Sequence, residues 1–245
     1  MKKLLLAIVS VSLFFSCTKK EENNLTINGH IKGLKKGTIY LQKVKDTALV
    51  SIDSVIIKGN SDFSFSTNIL EPEVYFLQLD KNDGIDVNDR IEFFAEEGIM
   101  TINSTVDHFE IEAKIEGSES QKKFEDYKKM LSNFTNKNLD YIKENLDARI
   151  AGDTIKADSI KVLTDKNLLR TYQYTINYAL QNKNSCVAPY IILKRANNIT
   201  PKYLDSVKNS LTPEISKSKY GIALNEYISE VKSKLTDTTT VPEKN

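Results

Sequence analysis

The spacing of apolar residues changes at Gly117, and this change limits the possible folds more than any other feature of the sequence. From Leu25 to Gly117, apolar and polar residues alternate with a period of two, which is typical of strands with one buried face. After Gly117, apolar residues recur every three or four positions, as they do in amphipathic helices. The sequence therefore predicts an α+β chain in which an N-terminal antiparallel β-sandwich, residues 25–117, precedes a C-terminal all-helical segment, residues 118–235.

Turn signals divide residues 25–117 into seven or eight short strands. Glycine and polar residues mark turns at Gly33–Gly37, Gly59–Ser61 and Glu96–Gly98. The most continuously apolar segment, Val74–Leu79, is expected to lie in the centre of a sheet. Strict alternation over Phe109–Ile115 predicts one further strand. Short strands joined by regular turns favour a sandwich with one solvent-exposed face.

Capping residues mark where the helices begin. Ser118 is followed three residues later by Gln121, which is the pattern of a capping box. Thr200-Pro201 and Thr212-Pro213 each combine an N-cap threonine with a proline in the first turn. A break in the first helix is expected near Asn136.

Apolar residues at helical spacing mark the helix faces that are expected to be buried. On the first two helices they are Phe124, Tyr127, Leu131, Phe134, Ile142, Leu146 and Ile150, and then Val162, Leu169, Tyr172, Ile176 and Leu180. A third helix, Ser185–Ala196, contains Pro189, which a helix tolerates only in its first turn. The polar residues 236–245 are expected to form a disordered tail.

The N-terminus has the pattern of a secretory signal. Met1–Lys3 is basic, the apolar run Leu4–Phe15 follows, and Ser16 precedes Cys17. This order resembles a bacterial lipoprotein signal, in which residues 1–16 are removed and the cysteine is acylated, with palmitate among the acyl chains. Several acyl chains hold a protein durably on a membrane. The sequence therefore predicts a lipid anchor at Cys17, a tether over residues 17–24, and a location on the outer membrane facing the periplasm or the cell surface; an ordinary signal peptide is the alternative.

Charge and cysteine content exclude some classes of function. The chain has 34 basic and 33 acidic side chains, and this near-neutral balance argues against a nucleic-acid-binding protein, which needs clustered positive charge. It has two cysteines, and acylation of Cys17 would leave Cys186 without an intramolecular partner. The expected partners are a membrane, reached through the anchor, and an unknown envelope protein or ligand.

Cys186 is a candidate reactive thiol because it lies close to the start of a predicted helix and to Lys183. The alternative is a small buried apolar residue. The two histidines, His30 and His108, lie outside any metal-binding or catalytic spacing. With no Cys-x-x-Cys and no catalytic set in the sequence, the protein is expected not to be an enzyme and to need no cofactor.

The segment Asp80–Asp89 is rich in the oxygen ligands that calcium prefers. Asp80, Asn82, Asp83 and Asp86 are weak calcium candidates. Ile85 stands where a calcium loop of the EF-hand type has glycine, so an acidic turn between strands is the favoured interpretation and no metal site is predicted.

Six tripeptides of the form Asp-Ser/Thr followed by an aliphatic residue or threonine occur in the chain, against about one expected from average composition. They are similar to the O-glycosylation acceptors of exported Bacteroidetes proteins. The candidate acceptor hydroxyls are those of Thr47, Ser54, Thr154, Ser159, Ser206 and Thr238. Thr47 and Thr238 are expected to be modified before Ser206. The alternative is ordinary turn and cap chemistry.

A family resemblance rests on the order of several short motifs. They are Gly29-His-Ile-Lys-Gly33, Gly37-Thr-Ile-Tyr-Leu41, Ile52-Asp-Ser-Val-Ile56, Phe63-Ser-Phe65, Pro72-Glu-Val-Tyr75 and Phe93-Phe-Ala-Glu-Glu-Gly98, followed by Gly117-Ser118, Ser185–Leu193 and Ser218-Lys-Tyr-Gly221. Together they resemble the N-terminal domain of unknown function, with its helical segment, of Bacteroidetes thiol–disulfide interchange lipoproteins. In those proteins a thioredoxin-like domain with Cys-x-x-Cys follows the helices, and this sequence contains no residues that match it.

The resemblance and the residues together predict a non-catalytic, lipid-anchored cell-envelope protein that acts as a binding or interaction module. The alternative is an accessory of a thiol–disulfide exchange system. It would act through Cys186 or by docking a thioredoxin-like partner.

Overall fold

The computed structural model describes residues 23–84 and 89–239, and it has the predicted α+β architecture. Eight strands in the described residues form two four-stranded sheets, and helices follow. Sheet 1 has the order β4-β1-β7-β8, and sheet 2 has the order β3-β2-β5-β6. The strands are β1 (Leu25–Lys32), β2 (Lys36–Lys45), β3 (Ala48–Lys58), β4 (Asp62–Thr67), β5 (Glu73–Asp80), β6 (Asp89–Ala95), β7 (Gly98–Thr105) and β8 (Lys114–Glu116).

The two sheets enclose the first hydrophobic core. Leu25, Ile27 and Ile31 point into it from β1, and Leu77 and Leu79 point into it from β5. β5 has a neighbour on each side, as its apolar sequence predicted. All paired strands are antiparallel except β1 and β7, which run parallel over their full length. The predicted antiparallel sandwich is therefore confirmed except at this pair, because alternation specifies a buried face and not a strand direction.

The predicted strand over Phe109–Ile115 is also wrong. Only the last residues of that segment belong to β8, and Phe109 lies in a turn closed by a hydrogen bond from the Glu112 N–H to the His108 carbonyl, N···O 2.9 Å. The Ser104 hydroxyl donates to the Phe109 carbonyl at 2.6 Å. The turn buries the Phe109 ring in the sandwich core and leaves Ile111 85% exposed, whereas a strand would have placed both side chains on one face.

The helices are α1 (Glu119–Ile150), α2 (Thr154–Gln181), α3 (Val187–Leu193), α4 (Pro201–Ser210), α5 (Pro213–Ser216) and α6 (Lys219–Thr239), with a 3₁₀ turn at Ala196–Asn198. Pro201 and Pro213 begin helices, and Pro189 lies in the first turn of α3, as predicted. The break near Asn136 does not occur, because α1 is continuous. The start of the predicted disordered tail is helical, since α6 continues to Thr239. Residues 240–245 lie outside the described part of the chain.

The cap of α1 also joins the helices to the sandwich. Ser118 is the N-cap, and its hydroxyl accepts from the Gln121 N–H at 2.9 Å. The Gln121 side chain does not complete the capping box; its oxygen accepts from the Phe94 N–H on β6 at 2.8 Å. The Glu96 carboxylate accepts from the Glu119 N–H at 2.5 Å. The first turn of α1 is thereby tied to the edge of sheet 2.

A second hydrophobic core lies between sheet 2 and the helices. The Phe94 ring packs edge-on against Phe124, with centroids 5.3 Å apart, and against Tyr190, with centroids 5.2 Å apart. The hydroxyl of Tyr190 and the ammonium of Lys194 both donate to the carboxylate of Glu92. The helices cover the outer face of sheet 2 at β5 and β6. The outer face of β3 and that of sheet 1 stay exposed to solvent, as the alternation predicted.

Polar and small side chains hold the α1–α2 hairpin together. The Tyr127 and Thr175 hydroxyls lie 3.0 Å apart, and the Asn167 amide donates to the Phe134 carbonyl at 2.8 Å. A small separate cluster of Ala148, Ala157 and Ile160 lies towards the tip of the hairpin. The predicted apolar faces are buried only near the sandwich; farther out, Ile142, Leu146, Ile150, Val162 and Leu169 are exposed. A two-helix hairpin cannot cover side chains that point away from the other helix.

Of the predicted signal peptide and tether, the structure describes only the last two residues, 23 and 24. Residues 1–22, which include the signal and Cys17, lie outside the described residues. Asn24 was expected to belong to the tether, but its amide donates to the Ile69 carbonyl and its oxygen accepts from the Ile69 N–H, each at 2.8 Å. The folded body therefore begins no later than Asn24. In the part of the chain that the structure describes, no helix is long and apolar enough to cross a membrane.

Candidate functional site

A groove between α2 and α4, with a volume of about 350 Å³, combines apolar and polar side chains. We call it the α2/α4 groove. Leu169, Tyr172 and Ile176 lie on one face of α2 because they are three and four residues apart. Tyr203 contributes a second aromatic ring from the first turn of α4, which Pro201 begins. The volume lies at the lower end of the range of small-molecule sites.

The polar groups of the α2/α4 groove have no partners in the described structure. The side chains of Tyr172, Gln173, Asn177, Thr200 and Tyr203 line the groove, and none of them makes a hydrogen bond within the described residues. Thr200 occupies the N-cap position of α4, yet its hydroxyl does not cap the helix. Five hydroxyl or amide groups therefore remain available to a ligand above an apolar floor.

The lining of the α2/α4 groove determines which ligands it suits. No Asp, Glu, Lys, Arg or His lines it within the described residues, so an ionic ligand would lose water without gaining a counter-charge. A purely aliphatic ligand would cover amides and hydroxyls and leave them without hydrogen bonds, which is costly. The groove therefore suits a neutral ligand that has an apolar face and several hydrogen-bonding groups.

At the end of sheet 1 where β4 begins, His30 of β1 meets Ser61 and Asp62, which are adjacent to each other in the sequence but distant from His30. His30 Nδ1 lies 2.6 Å from the Asp62 carboxylate, whose pKa is lowered first by this hydrogen bond and then by one from Asn60. The Ser61 hydroxyl is 3.4 Å from both ring nitrogens, so it is not aligned with the nitrogen opposite Asp62. Ser61 is also buried. This geometry does not orient the serine as a nucleophile in the way that a catalytic triad does.

Cys186 lies inside the second core. It is 3% exposed, and burial raises the pKa of its thiol to about 11, although a hydrogen bond with Ser218 acts in the opposite direction. The charged groups that act on the thiol are the carboxylates of Glu71, Glu214 and Glu96, which also raise its pKa. Lys183, the cation expected beside the thiol, is not among the main causes of this shift. These surroundings favour a structural cysteine.

The structure brings the remaining metal candidates into no common site. Asp80 Oδ1 accepts from the Asn82 N–H at 2.8 Å, which makes a local turn, and Asp86 lies outside the described residues. His108 faces Glu112 across 3.4 Å in the turn after β7. Among the described residues, no group of three or more His, Cys, Asp or Glu side chains could hold a metal ion.

The six candidate glycosylation sites occupy different environments. Thr47 is exposed in the turn between β2 and β3, and Ser54 is exposed on β3. The other four positions, Thr154, Ser159, Ser206 and Thr238, lie in helices. The expectation that Thr238 lies in an extended tail is wrong for its backbone, because α6 includes it. Thr47 stays the acceptor expected to be modified first, because it is exposed in a turn and the other five lie in a strand or in helices, and modification itself stays a prediction.

Three of the seven residues that line the α2/α4 groove stand out in the sequence. Leu169, Tyr172 and Ile176 are predicted there, but as residues of a buried helix face. Gln173, Asn177, Thr200 and Tyr203 were not singled out as site residues. The only available signal was the group of polar residues that flanks the apolar face of α2, and such residues are most often solvent-exposed without further function.

Comparison with known proteins gives one family match, to the N-terminal part of the chain. Residues 25–124 match the model of a family described as a domain of unknown function, DUF4369. The match covers the sandwich and the first turns of α1. No curated protein matches the chain. The predicted domain of unknown function is thus confirmed, and the link to thiol–disulfide interchange stays a prediction.

Proposed function

We propose that this protein is a non-catalytic, lipid-anchored envelope protein that binds a neutral, hydroxylated ligand, a saccharide, in the α2/α4 groove. The observation that carries the proposal is the set of five polar side chains without partners above the apolar floor of the groove. Anchoring through Cys17 and export rest on the N-terminal sequence pattern alone.

A saccharide matches the groove in two respects. Its C–H face can pack on Leu169 and on the rings of Tyr172 and Tyr203, while its hydroxyls both donate and accept. The amides of Gln173 and Asn177 offer donors and acceptors four residues apart on one side of α2. A neutral sugar also needs no counter-charge. The groove is large enough for one or two sugar units, so disaccharides are suitable ligands for a binding test.

The test is a titration of the ¹⁵N-labelled chain with cellobiose, maltose and N,N′-diacetylchitobiose. We expect at least one of them to shift the side-chain amide signals of Gln173 and Asn177. Asn177→Leu should weaken that binding about tenfold, the upper end of what one hydrogen bond contributes. Lys166→Ala, an exposed change on the same helix outside the groove, should leave the affinity unchanged.

Two outcomes would contradict the proposed site. One is that none of the three disaccharides shifts the two amide signals. The other is that binding occurs but is as strong in Asn177→Leu as in the Lys166→Ala control.

The sequence resemblance supports a second function, as an accessory of a thiol–disulfide exchange system. The protein could serve it by docking a thioredoxin-like partner or by reacting through Cys186. Docking of a thioredoxin-like partner needs no reactive group on this chain. Direct action needs Cys186 to be accessible as a thiolate. The burial of Cys186 and its raised pKa count against the direct form.

The rate of alkylation measures how accessible the Cys186 thiolate is. At pH 7.5, Cys186 of the native chain should react with iodoacetamide at least a hundredfold more slowly than in urea, because the thiol is buried and almost fully protonated. A native rate like that of the unfolded chain would restore the reactive-thiol interpretation.

A further inference from the structure

The outer part of α1 carries an apolar stripe that no described residue covers. Leu139, Ile142, Leu146 and Ile150 are 58%, 53%, 57% and 77% exposed. We call these four residues the α1 stripe. At 3.6 residues per turn they fall within an arc of about 80° on one face of the helix. Such a continuous apolar face marks an interaction surface more often than scattered exposed residues do.

The α1 stripe can pack against the same stripe of a second copy when the two helices run antiparallel. A two-fold axis near the midpoint between Glu144 and Asn145 would place Leu139 opposite Ile150 of the partner subunit. The same axis would place Ile142 beside Leu146 of the partner subunit. Apolar residues therefore meet apolar residues along the whole stripe, as an isologous dimer interface requires.

The charges beside the α1 stripe obey the same symmetry. Lys143 and Asp147 each follow a stripe residue by one position, so both lie on the same flank of the stripe. Both are exposed, and neither forms an ion pair within the described residues. The axis that aligns the stripe would bring Lys143 next to Asp147 of the partner subunit, twice in each dimer. The attraction favours this register over one that places like charges together.

We infer that two copies of this chain associate through their α1 stripes, with the two helices antiparallel. The folded bodies would not collide. Leu139 lies about 30 Å along α1 from Glu119, where the helix meets the sandwich, and the two bodies would extend in opposite directions. The stripe is short, about 16 Å, so the dimer should be weak in solution, and attachment of both copies to one membrane would favour it.

The test is sedimentation equilibrium of the full chain in density-matched detergent. The mass should rise from one chain towards two as the concentration increases. Leu146→Lys should abolish this rise. Each single charge change, Lys143→Glu or Asp147→Lys, should weaken association about tenfold, and the double variant should restore it to within about threefold of the original.

Recovery in the double variant separates a specific antiparallel pair from general adhesion of apolar surfaces. Circular dichroism should show equal helix content in all variants, since the changed residues are exposed. A chain that stays monomeric at all concentrations would overturn the inference. So would association that the two single charge changes leave unaltered, or that the double variant fails to recover.

Discussion

Phe94→Ala is expected to destabilise the protein by about 4 kcal/mol, the largest effect of any single change considered. The Phe94 ring is fully buried and contacts Phe124, Tyr190 and Tyr220, which come from three helices. Removal of the ring leaves a cavity where sheet 2 and the helices meet. The hydrogen bond from the Phe94 N–H to the Gln121 side chain does not depend on the ring and does not compensate for the lost packing. Urea unfolding followed by circular dichroism measures the loss.

Ile99→Ala is the matched control for Phe94→Ala. Ile99 is also an apolar strand residue, but it is 70% exposed, so its truncation should change the free energy of unfolding by no more than about 0.5 kcal/mol. If Phe94→Ala cost less than about 1 kcal/mol, the second core would not hold the sandwich and the helices together as described.

Gly29→Ala is expected to destabilise the sandwich by about 3 kcal/mol, the upper end of typical overpacking costs. A Cβ atom at this position would lie 2.1 Å from the Ile102 carbonyl oxygen and 2.3 Å from Cζ of Phe63. The carbonyl belongs to the backbone of the neighbouring strand β7, so it cannot move without disturbing the parallel pair. Thermal unfolding of the variant measures the loss.

The adjacent change Asn28→Ala separates this overlap from a general sensitivity of β1. Asn28 is exposed, and its substitution should cost no more than about 0.5 kcal/mol. Equal melting temperatures for Gly29→Ala and the original chain would mean that β1 and β7 do not approach each other as closely as the structure has them.

Local interactions explain what the sequence predicted well. The change of period at Gly117 separates strands from helices because side chains share a face every second residue in a strand and every three or four residues in a helix. Ser118, Pro201 and Pro213 were placed correctly because a cap or a first-turn proline acts within a few residues. The predicted compartment rests on the sequence alone and stays a prediction, since the signal and Cys17 lie outside the described residues.

Tertiary structure decided the features that depend on distant residues. Phe109 turns into the core instead of continuing a strand, and Gln121 hydrogen-bonds to β6 instead of completing its capping box. Periodicity could not show that a hairpin would leave the α1 stripe uncovered, because a pattern identifies an apolar face and not its partner. Nor could it show the α2/α4 groove, since polar residues such as Gln173 and Thr200 carry no periodic signal and become a site only when α4 packs against α2.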